Sequence, residues 1–249
     1  MTTPAESVMD VNADNSLRYP RSMILILAGI AGAMDAVDFR FYGVFTANQA
    51  GNLVLMWERL AADPGAAALS VFSLVGCAIG IAAVIAIRFY VPFFATSRGS
   101  RVLLYCAAAL LSVTALAGAS LAQPLRELTS GELQIGSGPW WAGAASTSSS
   151  AMALAVLGTI FVMVGSTRAQ IIAGTGPYLD SVRFSTAALL TRNPEWLQRF
   201  RSVAWFPVAW TLGAAFASLV PLNRGVIAMF CATIVVVIAL RSRRVESTA

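Results

Sequence analysis

Long apolar runs separated by short polar ones dominate this chain. Five of them, about 66–92, 102–122, 149–174, 201–221 and 223–240, each supply the roughly 20 apolar residues that a transmembrane helix needs. A sixth run, 22–39, is long enough but carries Asp35 and Asp38 in its second half. After it comes a mixed segment, 40–62. Gly43 interrupts the helix there, and Thr46-Ala47-Asn48-Gln49 has the form of a capping box. A helix is therefore expected to restart at Thr46 and to stop before the turn Asp63-Pro64-Gly65. Its span of about 14 residues covers ~21 Å, too little to cross a hydrocarbon core about 30 Å thick. A corresponding later stretch, 184–192, is shorter still. The pattern predicts an all-α, polytopic transmembrane helix bundle of about six spans.

Arginine placement tests that count. With six spans, Arg18, Arg21, Arg88, Arg98, Arg101, Arg183, Arg192, Arg199, Arg201, Arg241, Arg243 and Arg244 share one side. Arg40, Arg59, Arg126 and Arg224 face the other, and Arg168 falls in the fourth span near its cytoplasmic end. Letting both short segments cross weakens this bias. The positive-inside rule therefore favours six spans with both termini cytoplasmic.

The two halves echo each other. Gly32-Ala33-Met34-Asp35 corresponds to Gly165-Ser166-Thr167-Arg168, and Gly76 with Gly80 to Gly213 with Ala217. Gly51 lies 25 residues before Gly76, and Ala187 lies 26 before Gly213. Two three-helix repeats with broken first helices follow from this reading. Three is an odd number of spans, so the repeats would be inverted across the membrane, a plan recurrent in transporters. The expected organisation is a tail at 1–20, a first repeat at 21–122, an extracytoplasmic loop at 123–148, a second repeat at 149–241 and a cytoplasmic tail at 242–249. Small residues at four-residue spacing let helix backbones approach closely in lipid, so Gly76, Gly80, Gly213 and Ala217 read as packing positions. Trp140 and Trp141 read as interfacial anchors of the outer loop, and Trp196 as one on the cytoplasmic side.

Composition narrows the chemistry. Of 249 residues 57% are hydrophobic and 12% charged, about half the charge of an average soluble domain. All 17 basic residues are arginine, and histidine is absent. That excludes a lysine phosphate loop, Schiff-base chemistry, histidine-based triads and histidine-ligated metals. Cys77, Cys106 and Cys231 are scattered in apolar stretches and suggest neither disulfides nor a metal cluster. No enzyme activity, catalytic residue, metal, cofactor or nucleic-acid partner is expected.

The candidate binding residues are polar groups within the spans. Asp35 lies about 20 Å into the core, where a carboxylate must face protein or water. Asp38 is shallower, and an interfacial pair with Arg40 accounts for it. Thr46, Asn48, Gln49 and Asn52 open the restarted helix, whose N-terminus carries unpaired N–H groups and partial positive charge. Arg168 and Gln170 stand in the second half. Together these suggest a site for a small polar or anionic solute, with Asp35 as a proton or cation carrier. The bilayer is the other expected partner, and the oligomeric state, a homo-oligomer included, stays open.

The run Gly-Ala-Met-Asp-Ala-Val-Asp-Phe from Gly32, followed by Gly43 to Asn52, resembles the signature of the YoaK-like family of uncharacterised bacterial multi-pass membrane proteins. Gly32, Asp35, Ala36, Phe39, Phe45, Ala47, Gly51 and Asn52 match it. Ala50 stands where threonine is usual, and the second half is the poorer match. The resemblance implies a multi-pass protein of the bacterial inner membrane and supplies no reaction, substrate or cofactor. The residues favour a permease-like transporter, with a non-catalytic membrane scaffold or sensor as the alternative.

Overall fold

A computed structural model describes residues 21–119, 140–160, 163–164, 167–168, 175–220 and 222–246. Helix α1 runs Arg21–Tyr42 and α2 Gln49–Arg59. Then come α3 at Pro64–Tyr90, a 3-10 turn at Pro92–Ala95, and α4 at Ser97–Ala119. In the second half, α5 is Trp140–Ile160, α6 Thr175–Thr191, α7 Pro194–Val203, α8 Trp205–Leu219 and α9 Arg224–Glu246. A two-residue antiparallel pair, Met163–Val164 with Thr167–Arg168, lies between α5 and α6. Among the described residues, six helical stretches are long and apolar enough to span a membrane, with α7 and α8 together forming the fifth.

Local chemistry accounts for the boundaries. Gly43 ends α1 at φ +66°, with its N–H donating to the Phe39 carbonyl at 2.8 Å. That left-handed conformation suits a residue without Cβ. Asp63 starts α3 by accepting from the Ala66 N–H at 3.0 Å, just ahead of Pro64, and Asn193 does the same for Glu195 at 2.9 Å ahead of Pro194. Both follow the preference for an acceptor side chain at the cap and proline in the first turn. Pro207 has no N–H to give the Val203 carbonyl, which fits the break between α7 and α8 at Ala204.

Two expectations change here. The fourth span occupies 140–160 instead of 149–174. Ser146-Thr147-Ser148-Ser149-Ser150 has the composition of a loop, yet the hydroxyls of Thr147, Ser148 and Ser149 bond back into the helix. Thr147 donates to the Gly143 carbonyl at 2.9 Å and Ser149 to that of Ser146 at 3.2 Å, a way for such residues to stay helical inside a bundle. Trp140 and Trp141 consequently open the helix and are exposed there. Arg168, expected inside the fourth span, instead follows its end in the short strand pair.

Helix α1 lies along α8, α3 along α5, and α4 along both α5 and α9. Glycines make these approaches close. A Cβ on Gly213 would stand 1.9 Å from the Gly29 carbonyl oxygen, and one on Gly76 2.4 Å from that of Ser148. Gly80 meets Met152 in the same way, and Ala217 is buried. Helices α1 and α5 are the most enclosed, while α3 and the α7–α8 span show most of their surface to the outside.

Candidate functional site

The site forms where α1 ends, around two aspartates one helical turn apart. Asp35 is 1% exposed and Asp38 is fully buried. Charges so enclosed in a membrane bundle need partners, and the two carboxylates find different ones.

Asp35 caps a segment that is not its own. Its Oδ1 accepts from the backbone N–H groups of Thr46 at 2.7 Å and Ala47 at 2.5 Å, and its Oδ2 from that of Asn48 at 3.1 Å. These amides lead into α2, whose first N–H groups have no carbonyl in their own helix. A carboxylate placed there gains charge-assisted hydrogen bonds and the favourable end of the helix dipole. The expected capping box is thereby corrected. Helix α2 begins at Gln49, and Asn48 at its cap makes no side-chain capping bond. Thr46 turns its hydroxyl to Asp38 at 2.8 Å, and Asp35 takes the Thr46 N–H that the Gln49 side chain of a capping box would have held.

Asn52 and Gln49 hold the break in shape. Asn52 accepts from the Phe45 N–H at 2.8 Å and donates back to the Phe45 carbonyl, as a neighbouring strand would. Its amide also reaches Gln49 Oε1 at 2.9 Å and Ser73 Oγ at 3.0 Å, and the Ser73 hydroxyl donates to the Phe45 carbonyl at 2.8 Å. Gln49 donates to the Thr46 carbonyl at 2.8 Å. Gly51 leaves room for the Phe45 ring, whose nearest atom would lie 2.6 Å from a Cβ there. Arg59 donates to the Gly43 carbonyl at 2.7 Å, so both ends of the turn are tied.

Asp38 reaches across the bundle. Its Oδ1 accepts from Arg224 Nε at 2.5 Å, and Arg224 Nη2 makes a salt bridge to the same oxygen. Its Oδ2 accepts from Thr46 and, at 2.8 Å, from the Ser150 hydroxyl on α5. Arg224 itself is fully buried. Its Nη1 donates to the Thr114 carbonyl at 3.2 Å and to the Ser146 hydroxyl, while its guanidinium lies 4.7 Å from the centre of the Tyr42 ring, within cation–π range. The planar fork of arginine suits such simultaneous contacts. Thr114 and Ser149 complete the cluster at 2.7 Å.

The expected pairing of Asp38 with Arg40 is therefore wrong. Arg40 lies over the Phe41 ring at 5.8 Å, whereas Asp38 points inward, where a charge without a partner would be far more costly. Arg224 is equally misplaced as an outer topology marker. It opens α9, a usual place for an interfacial arginine, but points into the bundle. The hydroxyl-rich run 146–150 marks a polar interior in the sequence, but nothing in the pattern links it to Arg224. Thus Asp35, Asp38, Thr46, Gln49 and Asn52 converge, with Asn48 joining through its backbone. The Arg168 side chain and Gln170 lie outside what the structure describes.

These features define a multi-pass helical integral membrane protein with a buried polar cluster at a broken first helix. The family described as a protein of unknown function (DUF1275) matches residues 23–241, and the chain belongs to that family. This is consistent with the YoaK-like resemblance. No curated protein and no solved structure matches the chain.

Proposed function

We propose that the protein is a non-enzymatic, permease-like transporter for a small polar or anionic solute, in the bacterial inner membrane with both termini cytoplasmic. The carrying observation is the buried Arg224–Asp38 pair, which joins the first and last spans beside the broken helix. Apolar side chains of similar volume often hold a core at least as well as a buried ion pair, so ionisable groups within a membrane bundle point to function. The packing supports an inverted repeat: α1 lies on α8 as α5 lies on α3, and the third helices, α4 and α9, lie on each other. In this reading the structure is the occluded form. Asp35 and Asp38 take up the donors of Thr46–Asn48 and Arg224 until a proton and solute displace them.

A scaffold role is the second reading, favoured because all four carboxylate oxygens of Asp35 and Asp38 have protein partners. Cysteine accessibility separates the two without knowledge of the solute. With Cys77, Cys106 and Cys231 replaced by alanine, Thr46→Cys and Ser150→Cys are exposed to a membrane-impermeant maleimide in oriented vesicles. Transport predicts labelling of these buried positions from both sides in turn as conditions change. Complete protection from both sides supports the scaffold.

A further inference from the structure

The α6–α7 hairpin carries features that the polar cluster does not explain. At 100° per residue, Tyr178, Leu179, Val182, Leu189 and Leu190 fall on one face of α6. All five are exposed, Leu189 and Leu190 by 80% and 79%. The opposite side is used internally: Phe184 is buried and stacks on Trp196 of α7 at 5.8 Å between ring centres. Around this hairpin Arg183, Arg192, Arg199 and Arg201 are exposed, with Arg199 over the Trp196 ring at 5.0 Å. Asp180 and Glu195 are its acids, so the basic charge prevails.

Neither bulk water nor hydrocarbon suits such a face. Water would leave two adjacent leucines bare, and the bilayer interior would have to accept Asp180 and Arg183. An apolar helix face bordered by arginines fits the bilayer surface, with the apolar side in the acyl boundary and the guanidiniums among the headgroups. Arginine forks match phosphate oxygens in pairs, and excess positive charge selects lipids with net negative headgroups. We infer that α6 and the first turns of α7, ahead of its continuation into the fifth span, form an interfacial hairpin that binds anionic phospholipid, with Tyr178, Leu179, Val182, Leu189 and Leu190 inserted and Arg183, Arg192 and Arg199 on the phosphates.

The test uses the full chain. Native mass spectrometry from detergent, with added phosphatidylglycerol or phosphatidylcholine, is expected to show preferential retention of phosphatidylglycerol. Arg183→Gln and Arg192→Asn should each lower that retention about fivefold, as for one arginine near an anionic surface. Arg98→Gln, at an exposed position of α4, should change it less than twofold. In a cysteine-free chain, Leu189→Cys bearing an environment-sensitive dye should report an apolar setting in bilayers containing phosphatidylglycerol. Equal retention of the two lipids, or loss unrelated to Arg183 and Arg192, overturns the proposal. So does a water-exposed dye in those bilayers, or one shielded only when a soluble protein is added.

Discussion

Asp35 and Asp38 sit three residues apart on one helix, yet the molecule satisfies them by different means. Asp35 is held by backbone amides 11 to 13 residues further along the chain. Asp38 is held by side chains, one of them 112 and another 186 residues away. The first seat is local and fixes the shape of the break between α1 and α2. The second is long-range and fixes how the last span meets the first. A carboxylate against amides exchanges charge for dipoles, whereas one against a guanidinium requires a second charge to be buried with it. The second seat is thus the more vulnerable to loss of one partner and the more tolerant of joint replacement.

The sharpest way to break this contrast is Arg224→Met. It leaves Asp38 enclosed without its cation, so unfolding titrations in mixed micelles should show a loss of about 3–5 kcal/mol. Adding Asp38→Leu should restore much of that loss, a non-additivity expected only of directly coupled residues. Asp35→Asn retains the size of the side chain but removes the charge-assisted bonds, and should cost about 1.5–3 kcal/mol by the same measurement. No second-site change at Arg224 should rescue it. Gly43→Ala tests the turn that brings the amides to Asp35, and the left-handed backbone there sets an expected loss of about 1–2 kcal/mol. Ser150→Ala removes one neutral donor from Asp38 and should cost only about 0.6 kcal/mol, typical of hydrogen bonds between membrane helices.

The sequence makes the local seat legible and hides the other. Gly43, the turn at Asp63 and the depth of Asp35 all follow from short-range pattern, since each depends on neighbours within a few turns. The restart of α2 is misjudged by three residues because the Thr46 motif resembles a cap. One of the two amides a capping box satisfies, that of Thr46, is taken by a carboxylate from another helix. Arg224 is illegible for a different reason. An arginine at the start of a span has the same pattern whether it faces headgroups or the interior, and only tertiary contact decides between them. The hydroxyl run 146–150 lowers local hydropathy just where the bundle needs donors, so it displaces the apparent start of α5. Six spans and the close-packed glycines remain visible, because length and side-chain volume do not depend on distant partners.

The Arg224–Asp38 pair also has a consequence for biogenesis. During synthesis the first span reaches the translocon with an aspartate whose cation is encoded 186 residues later. Until α9 follows, Asp38 lacks this guanidinium, and release of α1 into lipid is penalised. Synthesis through Arg224 is therefore coupled to assembly of the bundle, and a chain truncated before it leaves α1 without the contact that secures it.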